Sequence, residues 1–231
     1  MATQDEAKRR AAEQAVEMVT DGQIVGLGTG STSRFATEAL GRRVAGGMHI
    51  QGVATSEATA QMARAMGIPI LDLNDVSAVD LTIDGADEID TDFNMIKGGG
   101  GALTREKLVA LASRRRVYIV DESKLVERLG ERWALPVEVL PFAWQHARAK
   151  LTALGCEPRL RLRDERPFET DNGNYILDCQ FKGIADPAQT EVDVKLTPGV
   201  VECGLFIGLA DVLIIGWPDR AEVRERRAKT I

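Results

Sequence analysis

Two hydrophobic periods alternate through the first half of this chain, and that alternation constrains the fold more tightly than any other feature. A helical face formed by Ala11, Ala15, Met18 and Val19 follows Thr3 and Glu6, which stand at capping-box spacing. Gln23 to Leu27 then reads as a short buried strand. Ser31 or Thr32 can cap a helix carrying Phe35, Ala39 and Leu40. Ile50 to Ala54 is a second strand, Ser56 can cap a helix to Met66, and Ile68 to Leu71 and Val79 to Ile83 are further strands. Leu103 to Ala112 is helical in pattern and Val117 to Val120 is a strand. Strands that take turns with helices predict an α/β fold, a mostly parallel sheet flanked by helices on both faces.

The pattern changes near Leu129. The stretch LPVEVLP leads to a helix over about Phe142 to Leu154. Strands follow near Arg159 to Arg163 and Tyr175 to Phe181, joined through the turn Asp171-Asn172-Gly173, with a helix around Pro187 to Leu196. Apolar strands return at Val200 to Phe206 and Val212 to Ile215. The expected division is an α/β domain over 1–129 and 204–231 that carries the chemistry, and a small α+β domain over 130–203. No internal repeat or low-complexity segment is visible.

Charge and cysteine usage narrow the function. A formal net charge of -6 and a pI near 5.1 argue against nucleic acid as a partner, since a chain that tracks a phosphate backbone is normally basic. The short basic runs Arg114–Arg116 and Arg224, Arg226, Arg227 and Lys229 read as solvated surface or tail. Cys156, Cys179 and Cys203 are far apart and odd in number, which supports neither a disulfide framework nor a zinc site. The N-terminal stretch lacks an apolar core like that of a signal peptide, and no apolar run approaches a membrane span. A cytoplasmic protein with no membrane partner is expected.

Three clusters carry chemistry. In Gly26-Leu-Gly-Thr-Gly-Ser-Thr32, glycines let backbone approach a ligand closely, free N–H groups at a helix start attract phosphate, and Thr29, Ser31 and Thr32 add hydroxyls. A dinucleotide fingerprint would want glycine at Ser31, and a Walker loop would want a Gly-Lys pair, so the segment suits a monophosphate; the alternative is an ordinary capped glycine turn. In Asp84-Gly-Ala-Asp-Glu-Ile-Asp90, carboxylates follow the strand VDLTI, at the strand end where ligands of open α/β sheets gather. The spacing does not fit a calcium loop, and the alternative is an acidic surface turn. In Lys97-Gly-Gly-Gly-Gly-Ala-Leu-Thr-Arg-Glu-Lys107, four glycines in succession are entropically costly and open a helix rather than a linker. Lys97 offers a cation, and Glu106 a carboxylate that could also serve only the helix dipole.

A phosphate cradle, a carboxylate pair, a lysine and a further carboxylate are the parts needed to move a proton next to a carbonyl. A metal-bridged hydride shift would need a nest of ligands, and the two histidines, His49 and His146, are far apart and without motif.

GLGTGST, DGADEID and KGGGGALTREK, in this order and spacing, closely resemble the A-type ribose-5-phosphate isomerase family. DESK at 121–124, LPVEV at 135–139, TDNGN at 170–174 and PGVV with GLF near 198–206 extend the likeness over nearly the whole chain. The resemblance implies a larger Rossmann-like α/β domain, a smaller ferredoxin-like α+β domain, and a homodimer or homotetramer that uses no cofactor and no metal. It implies interconversion of ribose 5-phosphate and ribulose 5-phosphate through an enediol, within the non-oxidative pentose phosphate pathway. Glu106 would shuttle the proton between C1 and C2, Asp84 would assist ring opening, and Asp87 would orient the sugar hydroxyls. Lys97, with backbone of Gly98, Gly99 and Gly100, would stabilise the oxyanion. Thr29, Gly30, Ser31 and Thr32 would hold the substrate, mainly its phosphate, with Gly85 and Ala86 lining the site. Lys124 would add charge at the phosphate, and Lys8 would reach the same group. The family often carries histidine where Cys203 stands, a position read as structural. The competing readings are a non-catalytic sugar-phosphate-sensing effector domain, which would not need Glu106 or Lys97, and an acyl-CoA transferase, for whose long CoA tail the sequence offers no site.

Overall fold

The computed structural model describes residues 4–226, so the capping threonine at position 3 and the basic residues 227 and 229 lie outside the described residues. The chain forms two compact units. The first comprises 1–86, 105–124 and 209–231, and the second comprises 87–104 and 125–208.

The first unit is built on a six-stranded sheet of β1 (Ile24–Leu27), β2 (Gln51–Ala54), β3 (Val79–Asp84), β6 (Ser113–Asp121), β14 (Val212–Gly216) and β15 (Ala221–Glu225). Their order is β15-β14-β6-β3-β1-β2, parallel throughout except for the hairpin that adds β15 to β14. Val25, Leu27, Leu81, Ile83, Val117, Ile119, Val212 and Ile214 point to one face and are covered by α1 (Gln4–Val16) and α2 (Ser31–Ala45). Small residues make α1 a close-fitting lid, since Ala7, Ala11, Ala12 and Ala15 are, with Val16, its buried positions. A second, smaller cluster packs Val53 and Val79 against Val109 of α4 (Leu103–Leu111). α3 (Glu57–Ala65) follows β2 and begins at Ser56, whose hydroxyl accepts from the Thr59 N–H at 3.1 Å, as the sequence predicts.

The second unit contains β7 (Leu135–Val139), α5 (Trp144–Thr152), β8 (Glu157–Leu160), β11 (Tyr175–Gln180), α6 (Pro187–Lys195) and β12 (Val200–Cys203). The strands form an antiparallel sheet in the order β12-β7-β11-β8, which is the ferredoxin-like β-α-β-β-α-β arrangement. Leu135, Val137, Leu177, Cys179 and Cys203 join Ala147, Leu151 and Val194 in its core. Two-residue strands β4 (Glu88–Ile89), β5 (Met95–Ile96) and β13 (Leu205–Phe206) make a small separate sheet in this unit.

That small sheet explains why the observed division differs from 1–129 plus 204–231. Residues 87–104 and 204–208, both expected with the α/β domain, associate with the second unit together: β5 pairs with β13, and the Gly204 N–H donates to the Pro136 carbonyl at 2.8 Å. The Glu88 carboxylate also accepts the N–H groups of Gly130, Arg132 and Trp133 at 2.6–2.8 Å. Other local differences have equally local causes. Ile68 to Leu71 makes a single bridge to Gly52 rather than a strand; Pro69 within it has no N–H to donate. The expected strand 159–163 breaks at Arg161. Residues Leu162–Arg163 (β9) and Arg166–Pro167 (β10) then form a hairpin around Asp164 and Glu165, both with positive φ.

Candidate active site

In the first unit, the glycine-rich turn after β1 ends in a helix start that has no side-chain cap. Gly30 occupies the N-cap with φ 115, a conformation that favours glycine, and Ser31 is already the first helical residue rather than the cap. The first turn of α2 has no acidic residue, so its N–H groups and dipole are open to an anion. Thr29 takes a different part from Ser31 and Thr32. Its hydroxyl donates to Ser56 Oγ at 2.8 Å and lies 2.7 Å from Thr55 Oγ1, and Thr59 Oγ1 donates to the Gly28 carbonyl. This hydroxyl cluster ties the turn to the start of α3. Sequence reading missed Thr55 and Thr59, whose only signal is a run of small hydroxyl residues after β2.

Asp84 ends β3 and is 1% exposed. Its Oδ1 accepts from Ser33 Oγ at 3.1 Å and from the Gly85 N–H at 2.7 Å. The carboxylate lies directly over Gly28, where an added Cβ would stand 2.1 Å from Oδ1. The glycine-rich turn after β1 and the start of the DGADEID segment are therefore in contact. Glu106 is buried in the first turn of α4, three residues before Val109, which packs against Gly26. Arg105 anchors the same helix to α3 through Glu57 at 2.8 Å.

Lys124 closes the short turn 122–124 after β6. Burial alone would raise the pKa of the neighbouring Asp121. Hydrogen bonds from Ser123 and Gln4 and the charge of Lys124 outweigh it and hold that carboxyl below the usual carboxylate range. Gln4 reaches Asp121 at 3.3 Å, and Lys8, one turn further along the same face of α1, has a side chain only 12% exposed.

In the second unit, Asp87 Oδ2 accepts the Gly99 N–H at 2.7 Å, so the second aspartate of DGAD braces the glycine run. The other two acids of that cluster are structural. Glu88 holds the 130–133 loop, and Asp90 accepts from the N–H groups of Asp92 and Asn94. Lys97 is 2% exposed, its N–H donates to the Gly204 carbonyl at 2.8 Å, and its ammonium lies 5.4 Å from the centre of the Phe206 ring.

Glu138 of β7, fully buried, was also missed as a site-supporting residue. It accepts hydrogen bonds from Thr170 Oγ1, Asn172 and Asn174 at 2.9–3.1 Å and from Thr104 Oγ1 at 2.5 Å. The LPVEV and TDNGN motifs thus converge on one carboxylate, which grips the threonine two residues before Glu106. One group of three possible metal ligands is found among the described residues, Glu191, Glu202 and Cys203. Both Glu202 oxygens there are engaged, by Lys195 at 2.7 Å and by the Cys203 N–H at 2.9 Å.

Residues 51–220 match the family model of ribose 5-phosphate isomerase A (phosphoriboisomerase A). The chain belongs to this family. It is 48% identical over 225 residues to ribose-5-phosphate isomerase A 1 of Oceanobacillus iheyensis, covering 97% of this chain and 100% of that one. Among solved structures, ribose 5-phosphate isomerase A from Methanocaldococcus jannaschii superimposes with a TM-score of 0.92 at 37% identity, over 96% of this chain and all of that one. A D-ribose-5-phosphate isomerase in complex with phospho-erythronic acid superimposes with a TM-score of 0.94 at 38% identity, over 97% of this chain and all of that one. The family likeness spans both units, so the fold expected from the motifs, α/β with a ferredoxin-like companion, is the one observed.

Proposed function

We propose that this protein is an aldose–ketose isomerase that interconverts D-ribose 5-phosphate and D-ribulose 5-phosphate in the non-oxidative pentose phosphate pathway. The observation that carries this reading is that family likeness runs the length of the chain while Asp84, Asp87, Lys97 and Glu106 all stand in intact motifs.

In this reading the α2 start, with Gly30, Ser31 and Thr32, binds the phosphate, Thr29 shapes that turn, and Lys124 and Lys8 add positive charge. Asp84 moves a proton during ring opening, Asp87 orients sugar hydroxyls, and Gly85 and Ala86 line the site. Glu106 as carboxylate removes the C2 proton of the open-chain aldose, and the electron pair forms the C1–C2 double bond of an enediolate with its charge on O1. Lys97 and the glycine-run backbone, Gly98 to Gly100, stabilise that oxygen, a role supported by the buried position of Lys97. Return of the proton from Glu106 to C1, with the O2 proton passing to O1 directly or through a neighbouring side chain, gives the ketose. Every step balances within the sugar and these side chains, so the route calls for no cofactor. A cytoplasmic location fits the reduced, buried cysteines. Assembly as a homodimer or homotetramer is supported by large apolar side chains left exposed in the second unit, Phe142 at 88% and Leu196 at 76%.

The test is turnover of ribose 5-phosphate in deuterated water, with Glu106→Gln beside the wild type. Ketose formation by the wild type is expected, with deuterium at C1 where the base exchanges before return. Loss of the general base should lower kcat about a hundredfold or more in the variant. A Glu106→Gln enzyme that turns over at wild-type speed overturns the assignment of the base, and a wild type with no turnover overturns the function.

A further inference from the structure

Four consecutive glycines make a poor scaffold for an oxyanion site, because a glycine peptide plane can turn over at little steric cost. The second unit contains a device against this. Arg161 sits where β8 breaks off, its backbone pinned on both sides: its N–H donates to the Ile176 carbonyl at 2.8 Å, and its carbonyl accepts the Phe168 N–H at 2.9 Å. Its side chain is 16% exposed. One edge of the guanidinium grips Asp178 of β11 in a two-point pair, Nε to Oδ2 at 2.9 Å and Nη2 to Oδ1. The remaining nitrogen, Nη1, donates to the carbonyls of Gly98 at 2.9 Å and Gly99 at 3.0 Å.

Those contacts fix two peptide planes. The Gly98–Gly99 plane is held at both ends, by Arg161 and the Gly101 N–H on its oxygen and by Asp87 on its nitrogen. The Gly99–Gly100 plane is held at its oxygen. Because C=O and N–H point in opposite directions across a trans peptide, the Gly100 N–H is directed away from Arg161. Among the described residues it has no hydrogen-bond partner, and Gly100 is exposed. A donor held in one direction and left open is what stabilisation of a developing oxyanion requires.

We infer that Arg161, braced by Asp178, is a positioning residue for the isomerisation, holding the glycine-run peptides so that the Gly100 N–H is presented to the enediolate oxygen. The inference rests on the proposed role of Lys97 and the glycine run. Arg161 carries out no chemistry itself; lysine could not replace it, since a single ammonium cannot hold two carbonyls and both carboxylate oxygens in a fixed plane.

The test compares the wild type with Arg161→Lys, and with Asp178→Asn in its place if the lysine variant does not fold by circular dichroism. Two ligands serve as probes: ribose 5-phosphate, and phospho-erythronic acid, whose carboxylate carries negative oxygen in place of the reacting carbons. A misdirected donor is expected to lower kcat about tenfold or more while KM stays within about threefold, and to weaken the acid by about tenfold. A kcat within about twofold of wild type, or undiminished binding of the acid, overturns the inference. Lys97→Met, measured alongside, separates the two layers. If Lys97→Met loses rate while Arg161→Lys does not, only the positioning role falls. If Lys97→Met also keeps its rate, the oxyanion reading falls with it.

Discussion

Gly28 lies beneath the Asp84 carboxylate with no room for a single further carbon, since a Cβ there would also stand 2.6 Å from the Asp84 Cα. Backbone cannot retreat as a flexible side chain would, so Gly28→Ala must displace either the glycine-rich turn after β1 or the end of β3. The expected result is a folded enzyme destabilised by about 1–3 kcal/mol, the usual cost of overpacking, with a larger loss in kcat/KM than Thr29→Ser produces. Thermal denaturation and steady-state kinetics on the two variants check this. At this scale the sequence was informative where a residue type is unusual. Glycine runs, clustered acids and a lysine beside them stood out without a structure. It was uninformative where an ordinary residue acts through distant partners. Arg161 lies in a segment rich in arginine, and nothing in RLRLRDER singles out the one whose guanidinium spans Asp178 and two carbonyls. Nor do Glu88 and Asp90 differ by type from Asp84 and Asp87. Only their backbone partners reveal them as loop anchors.

At the scale of elements, the start of α4 depends on a carboxylate from another strand. Glu138 gathers four neutral donors, and its truncation would leave several of them buried without an acceptor. Glu138→Ala is expected to cost about 3 kcal/mol or more in urea denaturation, against about 1 kcal/mol for Thr104→Val, which removes one donor cleanly. A comparable anchoring occurs where the chain enters β14. Arg116 grips Asp211 through Nε and Nη2 at 2.8 Å each, and its N–H adds a third bond at 2.8 Å. Burial pushes the Asp211 pKa up, but the Arg116 hydrogen bonds and charge outweigh it and leave it below its usual value. A carboxylate depressed in the folded state adds stability that is complete above its unfolded pKa and disappears as pH falls through the folded one. The stability difference between wild type and Asp211→Asn should therefore be on the order of 1 kcal/mol at pH 7, given the partial exposure of the pair, should begin to fall as pH drops below about 4, the ordinary carboxylate value, and should be lost only at a pH below the depressed folded value. Equal differences at both pH values would contradict it. The core strands and helices could be read from the sequence because their apolar period is strong. β15 could not, because charged Glu222, Arg224 and Glu225 blur its alternation; β4 and β5 are too short to show any period, and the strand expected over Val200 to Phe206 is divided at Gly204 into β12 and β13.

At the scale of the whole molecule, the second unit leaves Leu140, Phe142, Val192 and Leu196 exposed on its surface. Exposed apolar groups of this size are a common mark of subunit contact. If they serve the proposed homo-oligomer, Phe142→Asp should lower the sedimentation coefficient toward that of a 25.1 kDa monomer while the circular dichroism spectrum stays unchanged. A wild type that already sediments at that mass would dispose of the idea.

The first unit also joins the two ends of the chain, with α1 lying against β6, β14 and β15. During synthesis at roughly 5–20 residues per second, α1 emerges about 10–40 s before the strand it covers has been made. For that interval its alanine-lined stripe meets only α2 and then β6 in the nascent polypeptide. A transcript cut short before Val212 would encode a product lacking β14 and β15, and so unable to close its central layer.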